Sequence, residues 1–345
     1  MRPREEMTKN RFGARCYWSI VAQAIKHLRI VLRVELRASG DGGVDIYAAQ
    51  KGGELACLPR RWTTSRLKAL LHDHYFACLV EQPSQGATIE CISLDKASSK
   101  WIYTGEGVRF RDYPFAHRAR LGLLSLRNRP FGPSLGISEC RACGTERETP
   151  SHVLSRCPAN KGGMCRRHDA VVSRLVGSLL DARKEEGLGT GPEDLGKGPL
   201  SGLEADLGGG DRRYLDKSTP DAVLKGEPQL QPDLVLLREK PKEAVILHVA
   251  VAFESGGPEY FVEKRESKKT RYAEIANRLA RGGYRVTSDS RIVGALGSWD
   301  PANWRGLVAL GIDRHSGREM ARCSYTAALG WSATYIFNTL AAPKP

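Results

Sequence analysis

Four side chains able to bind a soft metal fall within residues 140–157: Cys140, Cys143, His152 and Cys157, spaced C-x2-C-x8-H-x4-C. A Cys-x2-Cys turn lets two thiolates reach one ion, and a later His and Cys with four residues between them close a tetrahedral shell. Gly144 follows the second cysteine and permits a tight turn. Thr149-Pro150-Ser151 can start the short helix that carries His152 and Cys157. Four protein ligands leave no open position on zinc, so this spacing predicts a structural Zn2+ site and no catalysis there.

A second group of residues lies about ninety positions downstream. Asp233 follows Pro232 at the start of QPDLVLLRE, Glu254 ends AVILHVAVAFE, and Lys268 lies in a helical segment beyond. Metal-dependent nucleases use paired carboxylates around Mg2+ and a lysine near the attacked phosphate. Lys268 shares a stripe with Phe261, Lys264, Arg265, Tyr272, Ile275 and Leu279, at spacings of three and four. That puts it on the protein-facing side, where it either meets a carboxylate on a neighbouring strand or snorkels from a core edge. His248, in the middle of the second apolar run, reads as a core histidine.

Several elements must position these groups. Helices are expected over 65–82, 115–127, 166–186, 259–283 and 324–342, and strands over 231–239, 244–254 and within 284–299. Residues 187–211 are rich in glycine and read as a mobile linker. The expected architecture is α+β overall. An uncertain leader (1–62) precedes a helical region (63–135), the zinc knuckle and its following helix (136–180), a linker (181–230), and an α/β restriction-endonuclease-like domain of the PD-(D/E)xK kind (231–340).

The 345-residue chain carries a net charge of +14, which favours a polyanionic partner. No apolar run is long enough to span a membrane, and the charged start MRPREEMTKNRFGAR has no signal core behind it. Nine cysteines at irregular spacing do not form a disulfide framework and fit a reducing compartment. Nucleic acid is therefore the expected partner. Arg118, Arg120 and Arg127 sit along FAHRARLGLLSLR, where arginines either contact phosphate or form a solvated face.

Taken together, SQGATIE with FAHRARLGLLSLR, CRACGTERETPSHVLSRC with RRHDAVV, PDLVLLRE with AVILHVAVAFE and EKRESKKTRY, and IVGALGSW resemble one family. It is the class of site-specific non-LTR retrotransposons that carries a restriction-like endonuclease and inserts into ribosomal DNA. The resemblance covers roughly residues 63–340, the part after the polymerase thumb. It implies a fragment of a reverse transcriptase/endonuclease polyprotein, acting in the nucleus, that nicks target DNA to prime copying of element RNA. No paired-aspartate polymerase signature occurs in this chain. The resemblance implies Asp233 and Glu254 as metal carboxylates, Lys268 as the catalytic lysine, and Arg166, Arg167 and His168 as the knuckle's basic tail at nucleic acid. It implies structural Zn2+ and, for cleavage, Mg2+.

The sequence departs from the family at two points. His248 stands where the family has an aspartate, and Leu296 where an arginine is expected. A lost carboxylate weakens Mg2+ binding, although His248 suits a softer ion such as Mn2+. Two readings follow: a DNA endonuclease, or a decayed, zinc-stabilised nucleic-acid-binding fragment without cleavage.

Overall fold

The computed structural model describes residues 17–40, 44–49, 53–59, 61, 63–83, 85–127, 138–185, 204–206, 212–215, 232–309 and 312–341. Most of the expected linker 181–230, like residues 1–16 of the leader, lies outside the described residues.

The chain divides into two compact units, Met1–Gln82 and Pro83–Pro345. The first holds helix α1 (Tyr17–Leu32), strands β1 (Glu35–Ala38), β2 (Val44–Ala49) and β3 (Leu55–Cys57), and helix α2 (Thr63–Val80). The strands form an antiparallel sheet in the order β1-β2-β3. Leu32, Val34, Ala48 and Leu58 form its small core, with Leu67, Leu70 and Leu71 of α2 packed against it. Helix α2 thus belongs with the leader, and the unit ends at Gln82 where a boundary at 62 was expected.

The second unit begins with α3 (Gly86–Ser93), α4 (Ala97–Thr104), a 3-10 turn (Phe110–Asp112) and α5 (Tyr113–Arg120). Then come α6 (Pro150–Ser155), α7 (Lys161–Glu185), β4 (Glu204–Asp206), β5 (Arg212–Leu215), β6 (Leu234–Glu239) and β7 (Lys242–Ala252). Helices α8 (Gly257–Arg271) and α9 (Ala273–Arg281), strand β8 (Arg285–Gly294), α10 (Asn303–Ala309) and α11 (Arg314–Ala341) complete it. The sheet order is β4-β5-β6-β7-β8, so the stretch read as linker contributes two strands.

Strands β6 and β7 are antiparallel, while β7 and β8 are parallel and joined through α8 and α9. A parallel pair needs such a crossover. Helices cover both faces, which explains why AVILHVAVAF is a continuous apolar run instead of an alternating one. Leu234, Leu236, Leu247 and Val249 share one core with Val171 and Leu175 of α7 and with Tyr325 and Leu329 of α11. Val235, Leu237, Ala244 and Ile246 face Tyr272, Ile275 and Leu279. Helix α11 runs close to α7 at Gly163, whose missing side chain makes room for the Tyr335 ring.

The expected helix 259–283 is two helices, broken at Tyr272. Proline in its first turn suits the start of α8, and Lys268, Lys269 and Arg271 complement the dipole at its end. The break places the Tyr272 ring flat on His248, centroids 3.6 Å apart and planes 8° from parallel.

Candidate functional site

The metal-binding spacing becomes a cluster. Ligand atoms of Cys140, Cys143, His152 and Cys157 all lie within 4.8 Å of one another. Cys140 and Cys157 sulfurs are 3.9 Å apart, and Cys143 Sγ lies 3.3 Å from His152 Nε2. A zinc tetrahedron, with bonds of about 2.0–2.3 Å, has edges of roughly 3.3–3.8 Å.

Local folding explains the geometry. The Cys140 amide donates to the Glu146 carbonyl and the Gly144 amide to the Cys140 carbonyl, each at 2.7 Å, with Gly144 at φ +70°. Thr149 caps α6 by accepting from the His152 amide at 3.1 Å. The His152 carbonyl then accepts from the amides of Arg156 and Cys157, which turns the last ligand inward. His152 Nδ1 lies 3.0 Å from Glu146 Oε2, the outer carboxylate that fixes a ligating imidazole. Burial, then the neighbouring sulfurs, push Cys157 up to about 12. At Cys143 burial also acts upward, but hydrogen bonding to Thr145, Glu146 and His152 outweighs it and brings the thiol to about 6. Three sulfurs this close become thiolates together only around a cation. The donor set fits structural zinc.

Glu148 braces the knuckle from inside. It is fully buried and accepts from Arg141, through its side chain and amide, and from the Arg127 amide. Its carboxyl is pushed up by burial, yet these donors hold it below the ordinary range.

Helix α7 links the knuckle to the sheet. His168 Nε2 lies 3.4 Å from Asp233 Oδ1 and 3.3 Å from the Val249 carbonyl, while Nδ1 lies 3.2 Å from Asp169. Asp233 Oδ2 accepts from the Val249 amide at 2.7 Å. Burial works against the charged imidazole, but Asp169 and Asp233 outweigh it and raise His168 to about 10. The same pairing holds Asp233 below the usual carboxylate range against its burial.

Lys268 and His248 lie in the field of Asp233. Burial lowers the Lys268 ammonium, and Asp233 partly restores it. His248 is fully buried, and burial brings it down to about 3, so it is a neutral imidazole. Neither ring nitrogen has a hydrogen-bond partner. Asp233, His248 and Lys268 thus share one neighbourhood.

Glu254 lies elsewhere. It is fully enclosed, and one oxygen accepts from the Leu296 amide at 2.8 Å and from the Ser298 amide and hydroxyl at 3.3 and 3.0 Å. Gly294 is obligatory, because a Cβ there would overlap both the Ser298 hydroxyl and the Glu254 carboxylate. Glu254 therefore ties the Gly-Ala-Leu-Gly turn to β7. Leu296 has a share in the same joint: its carbonyl accepts from Arg120.

The basic residues divide between surface and interior. Arg118 and Arg166 are exposed and Arg127 is half-buried. Arg120 and Arg167, expected at nucleic acid, are buried instead. Arg120 donates to the carbonyls of Leu296 and Ser98 and lies 5.0 Å over Trp101. Arg167 donates to Ser332 Oγ and the Leu154 carbonyl. Guanidinium groups engaged inside the fold do not present to phosphate.

A buried charge network, which no local pattern in the sequence announces, joins α8 to β8. Arg265 of α8 pairs with Asp289 at 2.9 Å and Asp300 at 2.7 Å and donates to Asn303. Arg291 pairs with the same Asp289 at 2.8 Å. The only signal was Arg265 on the helix's inward stripe, which earns a buried charge only with partners at hand.

Magnesium asks for several hard oxygen ligands. Among the described residues this neighbourhood offers Asp233, already engaged by His168 and an amide, and Asp169, held at the other nitrogen of the same imidazole, beside the nitrogen donor of His248. The residues do not fit Mg2+, and the expectation of two metal carboxylates is not met in this arrangement.

No protein-family model matches the chain. Over 116 residues it is 30% identical to the "Retrovirus-related Pol polyprotein from type-1 retrotransposable element R2" of Popillia japonica. The matched stretch is 32% of this chain and spans 16% of that polyprotein. The chain is thus similar, over about a third of its length, to part of a retrotransposon polyprotein.

Proposed function

We propose that the chain is a C-terminal part of the reverse transcriptase/endonuclease polyprotein of a site-specific non-LTR retrotransposon, working in the nucleus as a zinc-stabilised nucleic-acid-binding piece. Its partners in this reading are target DNA, of the ribosomal kind, and element RNA. The observation that carries it is the join between the Cys3His cluster and the sheet. Helix α7 starts just after Cys157, and its His168 reaches Asp233 at the head of β6. The retrotransposon similarity and the surplus of basic charge support the same reading. Among the described residues no helix is long and apolar enough to cross a membrane, and no membrane enters the proposal.

The test is binding by the zinc-loaded chain to labelled ribosomal DNA and element RNA across a salt series. Phosphate contacts give affinity that falls steeply with salt. A flat response, or no binding, overturns the proposal.

A second reading, nicking of target DNA, is favoured by one observation: Lys268 sits in the field of Asp233. Plasmid nicking in Mg2+ or Mn2+ that Asp233→Ala and Lys268→Ala both abolish would establish it. Well-folded, DNA-binding protein that leaves the plasmid intact in both ions leaves the binding role alone.

A further inference from the structure

A cleft of about 660 Å3 opens on the other side of α7 from Asp233's neighbourhood. Its walls come from the Gly107–Asp112 segment, from Ala170 and Arg174 of α7, and from the Arg322–Thr334 stretch of α11. Neither the zinc knuckle nor Asp233, His248 and Lys268 contributes to it.

Three arginines line this cleft: Arg109, Arg174 and Arg322. Arg109 is held by Asp112 at 2.6 Å and by the Gly330 carbonyl at 3.4 Å, and its side chain stays half-exposed. Arg322 is oriented by Glu319, with Nε at 2.8 Å. Two more guanidinium groups, outside the lining, contact residues of these walls. Arg111 lies 3.6 Å from Asp112, and Arg166 lies over the Trp331 ring at 5.9 Å. Among the described residues that line the cleft, arginines outnumber carboxylates, three against Asp112.

The cleft also has an aromatic wall and an aromatic rim. Trp331 lines it, and Phe110, next to Arg109 in the chain, is 92% exposed. A lone exposed ring is ordinary in itself, but this one directly follows the lining Arg109 in the chain and is open to a stacking partner. Gly107 keeps the floor open: at φ +79° it has no side chain, and a Cβ there would come within 2.9 Å of Thr326.

Arginines set for phosphate beside aromatic faces set for bases are the two parts of a single-strand binding track. The cleft admits a group of nucleotide size and is far too small for a duplex. We propose that it binds single-stranded nucleic acid, with backbone phosphates on Arg109, Arg174 and Arg322 and a base against Trp331. The site deepens the nucleic-acid-binding role proposed above, on which it rests, and is independent of cleavage at Asp233.

The test uses the full, zinc-loaded chain and fluorescein-labelled dT and rU strands of about twelve nucleotides, with a duplex of equal length, read by anisotropy. Single strands should bind more tightly than the duplex. Arg174→Glu with Arg322→Glu should weaken single-strand binding about tenfold or more and lower the salt slope by roughly 1.4, two phosphates at about 0.7 each. Trp331→Ala should cost at least about fivefold. Arg281→Glu with Arg285→Glu changes net charge equally on an exposed surface elsewhere and should stay within about twofold. Exposed Arg174→Glu alone keeps the test sound if a double variant fails to fold, as zinc content and circular dichroism would reveal. Binding of either sugar form supports the site. Cleft variants that bind like wild type, or a control pair that weakens binding equally, overturn it.

Discussion

His168 and Asp233 form an ion pair, Nε2 to Oδ1 at 3.4 Å, between the helix that follows the zinc knuckle and the head of β6 in the middle of the sheet. The pair joins a locally folded, metal-dependent module to a sheet assembled from distant segments. Its charge state makes that joint pH-dependent.

His168 is raised to about 10, so its stabilising effect is present in full below the ordinary value of about 6.5 and is lost as the pH rises towards 10. Asp233, held below its ordinary value, adds an effect present above about 3.8 and lost on further acidification. His168→Gln should therefore lower Tm clearly near pH 6 and little near pH 10. A Tm gap that stays constant across that range would sink the assignment. Asp169 and Lys268 share the neighbourhood, so Asp169→Asn should narrow the window without removing it.

The knuckle should bind one zinc per chain. Chelation, Cys143→Ser or His152→Ala should unfold the 138–160 segment, because metal binding there is folding energy. Glu146→Gln should be milder, weakening zinc affinity about 10- to 100-fold while the segment still folds in excess zinc. Competition with a chromophoric chelator reads both effects, and an unchanged affinity in Glu146→Gln would remove the carboxylate from the site.

Glu254→Ala should destabilise the second unit by about 2–4 kcal/mol, since it strands the buried amides of Leu296 and Ser298. Nucleic-acid affinity of the fraction that remains folded should not change. A selective loss of cleavage at full stability would contradict the structural role drawn from its burial.

Arg120→Lys should cost about 2–4 kcal/mol although it conserves charge. A lysine cannot reach the carbonyls of Ser98 and Leu296 together. Chemical denaturation measures it. Arg118→Lys, at an exposed position two residues earlier, should be neutral.

These outcomes also mark how far the sequence could be read. The knuckle was legible because its ligands, turn glycine and cap are all close neighbours. The apolar runs of β6 and β7 and the inward stripe of α8 were legible by periodicity. Arg120 and Arg167 sit inside for a physical reason the sequence hides: each binds a remote partner, Leu296 and Ser332 at 176 and 165 residues' distance, and nothing local distinguishes a guanidinium that will find buried acceptors from one left in water. Glu254 was read as a metal carboxylate for the same reason, since Leu296 is 42 residues on. Strands β4 and β5 were hidden in glycine-rich sequence with no apolar pattern to announce them.

The last rung between β6 and β7 pairs Leu234 with Leu247. Two residues further along β7, the Val249 amide is taken by the Asp233 carboxylate and the Val249 carbonyl by His168. Two side chains thus impersonate a strand that stops short, one accepting and one donating, where an open edge would otherwise invite pairing with another chain. Asp233→Ala consequently removes a piece of the sheet's selvedge along with a charge. A cleavage assay on that variant is informative only beside a measurement of its aggregation.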